Sequence, residues 1–143
     1  VTKPQPTFSA CYGAAFLMLH PTVYSDVLSK KMKASNSKVF LVNTGWNGQG
    51  NRISLKNTRS IIDAILSNEL DDIETQKIPF FNLEIPINVK SVPTELLDPR
   101  NTWDKSNLWD EKAKELAQLF ISNFQKFCDN DHGKKLQEAG PYI

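Results

Sequence analysis

The sequence predicts an α/β fold, and three observations favour this class. Apolar residues at helical spacing run through residues 21–34 and again through 57–70, with a short β-rich apolar run, Val39–Val42 (VFLV), between them. A glycine-rich stretch follows that run. The order helix, strand, loop and helix is typical of α/β proteins, in which helices cover a sheet. A chain of 143 residues is long enough for one such domain.

The first elements are an extended start, an apolar segment and a helix. Val1–Thr7 (VTKPQPT) is proline-rich, and Phe8–Leu19 is almost continuously apolar with several small residues. Because small residues allow close backbone approach, we expect Phe8–Leu19 in a core, as either helix or strand. Pro21 begins a helix, since proline suits the first helical position. Apolar steps of three and four continue to about Ala34, and Asn36 ends the helix.

The middle of the chain combines the predicted strand, loop and second helix. Val39–Val42 has the pattern of a strand covered on both faces. Asn43–Asn51 (NTGWNGQGN) contains three glycines and is expected to be a loop. Asn57 or Thr58 is expected to cap the next helix. The apolar residues expected on one side of that helix are Ile61, Ile62, Ile65, Leu66 and Leu70.

Residues 71–107 show no helical spacing and contain four prolines. Ile78–Ile87 is expected to hold an edge strand. A stretch this long without regular structure is uncommon inside a small domain, so we expect it to pack on a surface outside this sequence. Such a surface would lie elsewhere in a longer protein.

The last part of the chain is predicted to be helical. Leu108–Cys128 is the clearest helix of the sequence, and Asp131–Ala139 is predicted as a short final helix that Gly140 stops. The stripe expected to face the core on the longer helix is Trp109, Ala113, Leu116, Ala117, Phe120, Phe124 and Phe127.

Composition excludes several classes of function. Lysines and arginines number 17 against 16 acidic residues, and a net charge of +1 argues against a dedicated nucleic-acid partner. Apolar runs are too short to cross a bilayer and no signal-peptide pattern is present, so we expect a cytoplasmic protein with no membrane partner. Cys11 and Cys128 form either one disulfide or, as we favour, two reduced core thiols. His20 and His132 match no zinc motif, so no metal site is expected.

The strongest candidate for ligand binding is Gly45–Thr58 (GWNGQGNRISLKNT). Loops at the carboxyl ends of strands often hold ligands in α/β folds, and glycines let backbone N–H groups approach an anion. Arg52 offers a planar guanidinium to a phosphate or a purine. The spacing matches neither the phosphate-binding P-loop nor the dinucleotide fingerprint. Two interpretations therefore stay open: a nucleotide contact, and an ordinary connection with a solvated Arg52.

Three blocks of the sequence resemble the C-terminal portion of ATP-dependent phosphoenolpyruvate carboxykinase. They are Phe8–Leu19, Asn43–Arg59 (NTGWNGQGNRISLKNTR) and Leu97–Thr102 (LDPRNT). The resemblance implies that residues 1–143 are the C-terminal part of one carboxykinase-type mononucleotide-binding domain, with the glycine-rich loop between a buried strand and a helix. It also implies that residues 1–7 end a mobile lid loop and that residues 71–107 pack on the rest of the enzyme.

The resemblance implies a lyase that converts oxaloacetate and ATP to phosphoenolpyruvate, ADP and CO2 in gluconeogenesis, using Mg²⁺ and Mn²⁺. The P-loop, metal ligands and substrate arginines of the family are expected upstream, in the remainder of the carboxykinase chain. We therefore expect no catalytic residue in this segment and no activity from the 143-residue chain alone. The alternative is a free-standing, non-catalytic nucleotide-binding or interaction module.

The resemblance assigns ATP contacts to Arg52, Ile53 and Thr58. Arg52 and Ile53 would surround the adenine, Arg52 would add charge near the phosphates, and Thr58 would contribute a hydroxyl hydrogen bond. Asn51 stands where the family often has Lys, so no phosphate role is implied there. Phe16 follows the segment that resembles the lid, and two interpretations stay open for its ring: an edge of the substrate pocket, or ordinary core packing.

Overall fold

The computed structural model describes residues 7–143, so most of the segment expected to end a lid lies outside the described residues. Within that range the chain forms helices and one antiparallel hairpin. The helices are α1 (Pro21–Ser35), α2 (Leu55–Leu66), α3 (Ser106–Phe124) and α4 (Asp131–Gln137). The strands are β1 (Thr75–Ile78) and β2 (Leu83–Pro86), paired with Thr75 opposite Pro86 and Ile78 opposite Leu83. This mixed content is compatible with the α/β class.

The chain divides into two compact units. The first combines the chain up to Phe40 with Ile121–Ala139, and the second combines Leu41–Phe120 with Gly140–Ile143. The second unit contains the glycine-rich stretch, the hairpin and helix α2. The candidate site therefore lies within the second unit.

Helix α1 of the first unit confirms the expected start and end. The Nδ1 of His20 accepts a hydrogen bond from the Thr22 N–H at 3.4 Å, and Pro21 occupies the first turn. Asn36 ends the helix in the left-handed conformation at φ 51°. Helix α4 is shorter than predicted and is capped by Asn130, whose Oδ1 accepts from the Gly133 N–H at 2.8 Å. Side chains at the first turns thus set where both helices begin.

Helix α2 begins earlier than the sequence suggested. Ser54 has extended backbone angles, and its Oγ accepts a hydrogen bond from the Asn57 N–H at 3.1 Å, so Ser54 is the cap and the prediction of Asn57 or Thr58 was wrong. The physical reason is that the cap must precede the helix and accept from an amide in its first turn. Loop residues up to Ser54 therefore lead directly into α2.

A small apolar cluster holds α2 in the second unit. Ala64 of α2 is buried with Val89 and Val92, and partly buried side chains surround them (Ile61, Leu70, Ile73 and Leu97). Ile62 and Leu66 are exposed, so the stripe predicted for this helix was only partly right. The helix turns Ile61 and Ala64 toward the cluster, three positions apart, and this places Ile62 and Leu66 away from it.

A second cluster joins the hairpin to α3. Ile78 of β1 is buried with Trp109 and Ala113 of α3, and Phe80, Phe81 and Trp103 pack against them. Residues 71–107 therefore contribute to this unit, and their packing on other parts of an enzyme stays a prediction. Along α3 the buried residues Trp109, Ala113 and Ala117 are four positions apart. The predicted stripe was too wide, because Leu116 and Phe120 are exposed.

Two apolar segments differ from their predictions. The strand predicted at Val39–Val42 does not form, because in the described chain the strand ladder joins β1 only to β2 and a strand needs a paired neighbour. Phe8–Leu19 forms two 3₁₀ turns rather than a buried element, and Tyr12, Phe16 and Met18 are 93%, 87% and 91% exposed. An apolar pattern predicts a tendency to be covered, but the covering surface is not among the described residues.

Cys11 and Cys128 are both free, which confirms the reduced thiols, although Cys11 is exposed and is not a core residue. Among residues 7–143 the helices are each too short or too polar to cross a membrane.

Candidate nucleotide-contact site

The glycine-rich loop, residues 43–54, is held in shape by its own asparagine side chains. The Oδ1 of Asn43 accepts a hydrogen bond from the Gly45 N–H at 2.9 Å, and its Nδ2 donates to the Trp46 carbonyl at 3.1 Å. An asparagine that bonds the backbone two residues ahead forms a local turn without any partner strand. The first half of the loop is therefore ordered even though the predicted strand before it is absent.

The second half of the loop closes on Asn47 and Asn51. The Asn47 N–H donates to the Asn51 carbonyl at 2.9 Å, and the Asn47 Oδ1 accepts from the amides of Gln49 at 3.1 Å and Asn51 at 2.9 Å. Gly50 lies between them at φ 77°, a conformation that glycine adopts without steric cost. Asn51 thus has a structural role in this turn.

The loop brings Arg52 onto the face of Trp46. An isolated antiparallel bridge pairs Trp46 with Arg52, and the Ile53 N–H donates to the Gly45 carbonyl at 2.8 Å. The guanidinium carbon of Arg52 lies 5.5 Å from the centroid of the Trp46 ring, within cation–π distance. Trp46 is 63% exposed and Arg52 is exposed as well. A flat cation on an open aromatic ring is therefore accessible from solvent.

An open cleft of about 210 Å³ lies beside this pair. Trp46, Gly48 and Ile53 line one part of it, and Leu96, Pro99, Thr102 and Trp103 line another. The lining thus joins the glycine-rich loop to a second stretch of the sequence, residues 96–103. The two blocks are more than 40 positions apart in the chain and meet only in the folded unit.

An ion pair stabilises the turn that carries Thr102. Asp98 is buried, and its Oδ2 lies 2.6 Å from Arg100 Nη2, while its Oδ1 accepts the Arg100 N–H at 3.0 Å. Gln76 of β1 donates to the same carboxylate at 3.4 Å. The side-chain hydrogen bond from Arg100 holds the pKa of Asp98 below its ordinary value, although burial opposes this shift. The turn at Pro99–Thr102 is therefore anchored by a charged, partly buried network.

The residues predicted to contact ATP lie at three different places relative to the cleft. Ile53 lines it, Arg52 is stacked on Trp46 at its edge, and Thr58 lies in the first turn of α2 outside the lining. The Thr58 N–H donates to the Ser54 carbonyl at 3.0 Å. Phe16 belongs to the other unit and is exposed, so it does not pack in a core among the described residues, and its place in a substrate pocket stays a prediction.

Sequence reasoning missed the residues that brace the loop. Asn43 and Asn47 could have been found, because each stands two positions before an amide in a glycine-rich stretch, the spacing of a side-chain turn. Trp46 directly follows Gly45 and lies six positions before Arg52, a pairing that a local pattern does not reveal. Thr102 stands in the block Leu97–Thr102 that carried part of the family resemblance. Neither Thr102 nor Trp103 had a signal for contact with the loop, since that contact spans more than 50 positions.

Within residues 7–143, His, Cys, Asp and Glu side chains form no cluster of three or more that could hold a metal ion. Comparison with protein families gives a specific match: the family model for phosphoenolpyruvate carboxykinase matches residues 1–95. The matched range is more than half of the chain and includes the whole glycine-rich loop and α2.

Proposed function

The chain belongs to the ATP-dependent phosphoenolpyruvate carboxykinase family, and from this premise we propose that it supplies the adenine side of the ATP site. The complete enzyme would convert oxaloacetate and ATP to phosphoenolpyruvate, ADP and CO2. The family uses ATP and a divalent metal. The P-loop, the Mg²⁺ and Mn²⁺ ligands and the substrate-binding arginines would belong to the remainder of the carboxykinase chain.

The observation that carries this proposal is the accessible Arg52–Trp46 pair beside a cleft that Ile53 lines. A guanidinium plane can stack on an adenine ring and can also donate to a phosphate oxygen, which a lysine ammonium cannot do in the same geometry. Ile53 adds an apolar contact for the flat face of a base. Ile53 and Arg52 thus combine an apolar surface and a positive charge, which complement the base and the phosphates of a nucleotide.

The size of the cleft favours part of a nucleotide. Its volume of about 210 Å³ is below the roughly 300–1,000 Å³ of pockets for drug-sized ligands. A single ring system fits that volume better than a base, sugar and three phosphates together. The ribose and the phosphates would then extend toward groups outside the cleft, where phosphoryl transfer depends on positioning and metal ions.

The test compares Arg52→Lys with Lys56→Ala in the complete enzyme. Arg52→Lys preserves charge but loses the planar fork, so kcat/KM for ATP should fall about 5- to 150-fold, the equivalent of about 1–3 kcal/mol. Lys56 is exposed in the first turn of α2 and serves as the control with little expected change. If Arg52→Lys matches the wild type, or if Lys56→Ala is equally damaging, the assignment of Arg52 fails.

A second measurement separates the enzyme from a free-standing module. The purified 143-residue chain should form no phosphoenolpyruvate from oxaloacetate and ATP, whereas the complete enzyme should form it. Intact mass of the native protein supplies the other half of the test. A longer polypeptide, or a co-purifying chain with a Gly-Lys-Thr motif, supports the enzyme, and a monodisperse 16.2 kDa monomer supports the module.

A further inference from the structure

The middle of the glycine-rich loop contacts Thr102 and Trp103, which belong to a distant part of the sequence. The Gly48 N–H donates to the Thr102 Oγ1 at 3.0 Å, across 54 positions of chain. The indole ring of Trp103 lies where a Cβ of residue 48 would be, so any side chain there would overlap the ring. Gly48 is not among the residues of positive φ. Glycine is therefore required at position 48 for space, whereas Gly50 is required for backbone conformation.

The Thr102 hydroxyl makes one hydrogen bond as a donor and one as an acceptor. It donates to the Pro99 carbonyl at 3.0 Å and accepts from the Gly48 N–H at 3.0 Å. Thr102 is only 7% exposed, so water cannot easily replace either bond. The Asp98–Arg100 ion pair anchors the same turn. The buried Thr102 hydroxyl, on a turn stabilised by an ion pair, thus fixes the position of the loop backbone at Gly48.

Gly48 lies in the same loop as Arg52 and Ile53, the two residues proposed to contact the nucleotide, so its position affects theirs. Gly48 lies between Trp46 and Arg52, the two partners of the isolated bridge. A shift of Gly48 away from Trp103 would tilt that bridge and move the Arg52 guanidinium and Ile53 with it. Misplacement by about 1 Å can change a rate by two orders of magnitude where geometry is demanding.

We propose that Thr102 and Trp103 are positioning residues for ATP, acting through Gly48 to hold Arg52 and Ile53 at the edge of the cleft. The inference rests on the proposed function, because it concerns the same nucleotide site. Both residues line the cleft, and the role assigned to them here is the one that they have through Gly48. Their effect is therefore on ATP affinity and is separate from the binding of oxaloacetate.

The experiment uses three variants of the complete enzyme. Thr102→Val keeps the shape but loses both hydrogen bonds, and KM for ATP should rise about 5- to 10-fold with KM for oxaloacetate within about twofold of the wild type. Thr102→Ser keeps the hydroxyl and should restore KM for ATP to within about twofold. Thr94→Val makes the same change at an exposed threonine of the same unit and should have no effect.

Amide hydrogen exchange measures the stability of the loop's hydrogen bonds independently of enzyme activity. Peptides that cover residues 43–53 should exchange faster in Thr102→Val and in Gly48→Ala than in the wild type, while peptides from α3 should not change. Gly48→Ala disturbs the contact from the other side, and its KM for ATP should also rise. It decides the question if Thr102→Val does not fold.

The outcomes separate this inference from the proposed function. If Arg52→Lys raises KM for ATP and Thr102→Val does not, the positioning role is overturned and the nucleotide site stands. If Thr102→Val raises KM for ATP and for oxaloacetate equally, Thr102 is only structural and the inference is again overturned. If Arg52→Lys has no effect, the nucleotide site fails and the inference fails with it.

Discussion

The glycine-rich loop and the segment Phe8–Leu19 are both irregular, yet their surroundings are opposite. The loop is largely polar and is braced by hydrogen bonds from Asn43, Asn47 and Thr102. Phe8–Leu19 is apolar, and three of its large side chains, Tyr12, Phe16 and Met18, are almost fully exposed. The loop makes its stabilising contacts within its own unit, whereas the apolar segment leaves its contact surface uncovered.

This difference separates two kinds of irregular segment. Hydrogen bonds to the backbone specify one conformation, and the loop can therefore hold Arg52 in place before any ligand arrives. Apolar side chains specify only that water should be excluded, and they are satisfied by any surface of suitable shape. Exposed apolar area of this kind usually marks an interface. We expect the remainder of a carboxykinase chain to cover it.

The largest expected effect on stability comes from removing the Asp98–Arg100 ion pair, which stabilises the turn that carries Thr102. Asp98→Asn should lower the free energy of unfolding at pH 7 by about 1.5–3 kcal/mol, because a buried charge-assisted network with Arg100 is lost. Urea unfolding of the 143-residue chain measures this difference. Asp104→Asn makes the same change at an exposed position and should alter stability by less than about 0.5 kcal/mol. Equal effects of the two substitutions would contradict the anchoring role.

The same carboxylate predicts a pH dependence. The pKa of Asp98 is lowered in the folded state. The stability that Asp98 contributes is therefore complete above its unfolded pKa of about 3.9 and is lost as the pH falls through the lower folded value. The difference in free energy of unfolding between wild type and Asp98→Asn should be constant from pH 5 to 7 and should shrink below about pH 4. A difference that instead grows on acidification would contradict this sign.

A smaller effect is expected within the loop itself. Asn47→Ala removes the acceptor of two backbone amides and should lower the free energy of unfolding by about 0.5–1.5 kcal/mol. Asn47→Asp retains the acceptor oxygen and should keep most of that stability. Thermal melting of both variants measures the pair. If Asn47→Asp is as damaging as Asn47→Ala, the hydrogen bonds do not define the loop.

The smallest effect on stability is expected in the apolar segment. Phe16→Leu should change the free energy of unfolding of the 143-residue chain by less than about 0.5 kcal/mol, because Phe16 has little to pack against. In the complete enzyme it should alter kcat/KM for oxaloacetate if the ring borders the substrate pocket. Met18→Leu, at an equally exposed position, is the matched control. Steady-state constants identical to wild type would remove Phe16 from the site.

Helices and the location of the candidate site could be read from the sequence. Pro21, Asn36 and the repeated four-residue steps of α3 act on neighbours in the chain, so a local pattern contains the necessary information. The residues of the glycine-rich loop were recognisable for the same reason, since glycines and an adjacent arginine are a local signal. The family resemblance rested on this loop together with Phe8–Leu19 and Leu97–Thr102, and the family match over residues 1–95 confirms it.

Only the tertiary structure decided which surfaces are covered and what holds the loop. Val39–Val42 and Phe8–Leu19 are apolar in sequence, but a strand needs a paired neighbour and a core needs a covering surface, and neither is specified by the segment itself. Thr102 and Trp103 reach Gly48 across 54 positions, and Asp98 meets Gln76 from the hairpin. The sequence by itself determined the start and end of α1, the glycine-rich character of the loop and the chemistry available in it, because these depend on near neighbours. The fold determined where that chemistry points, because contacts between distant residues depend on the whole packed chain.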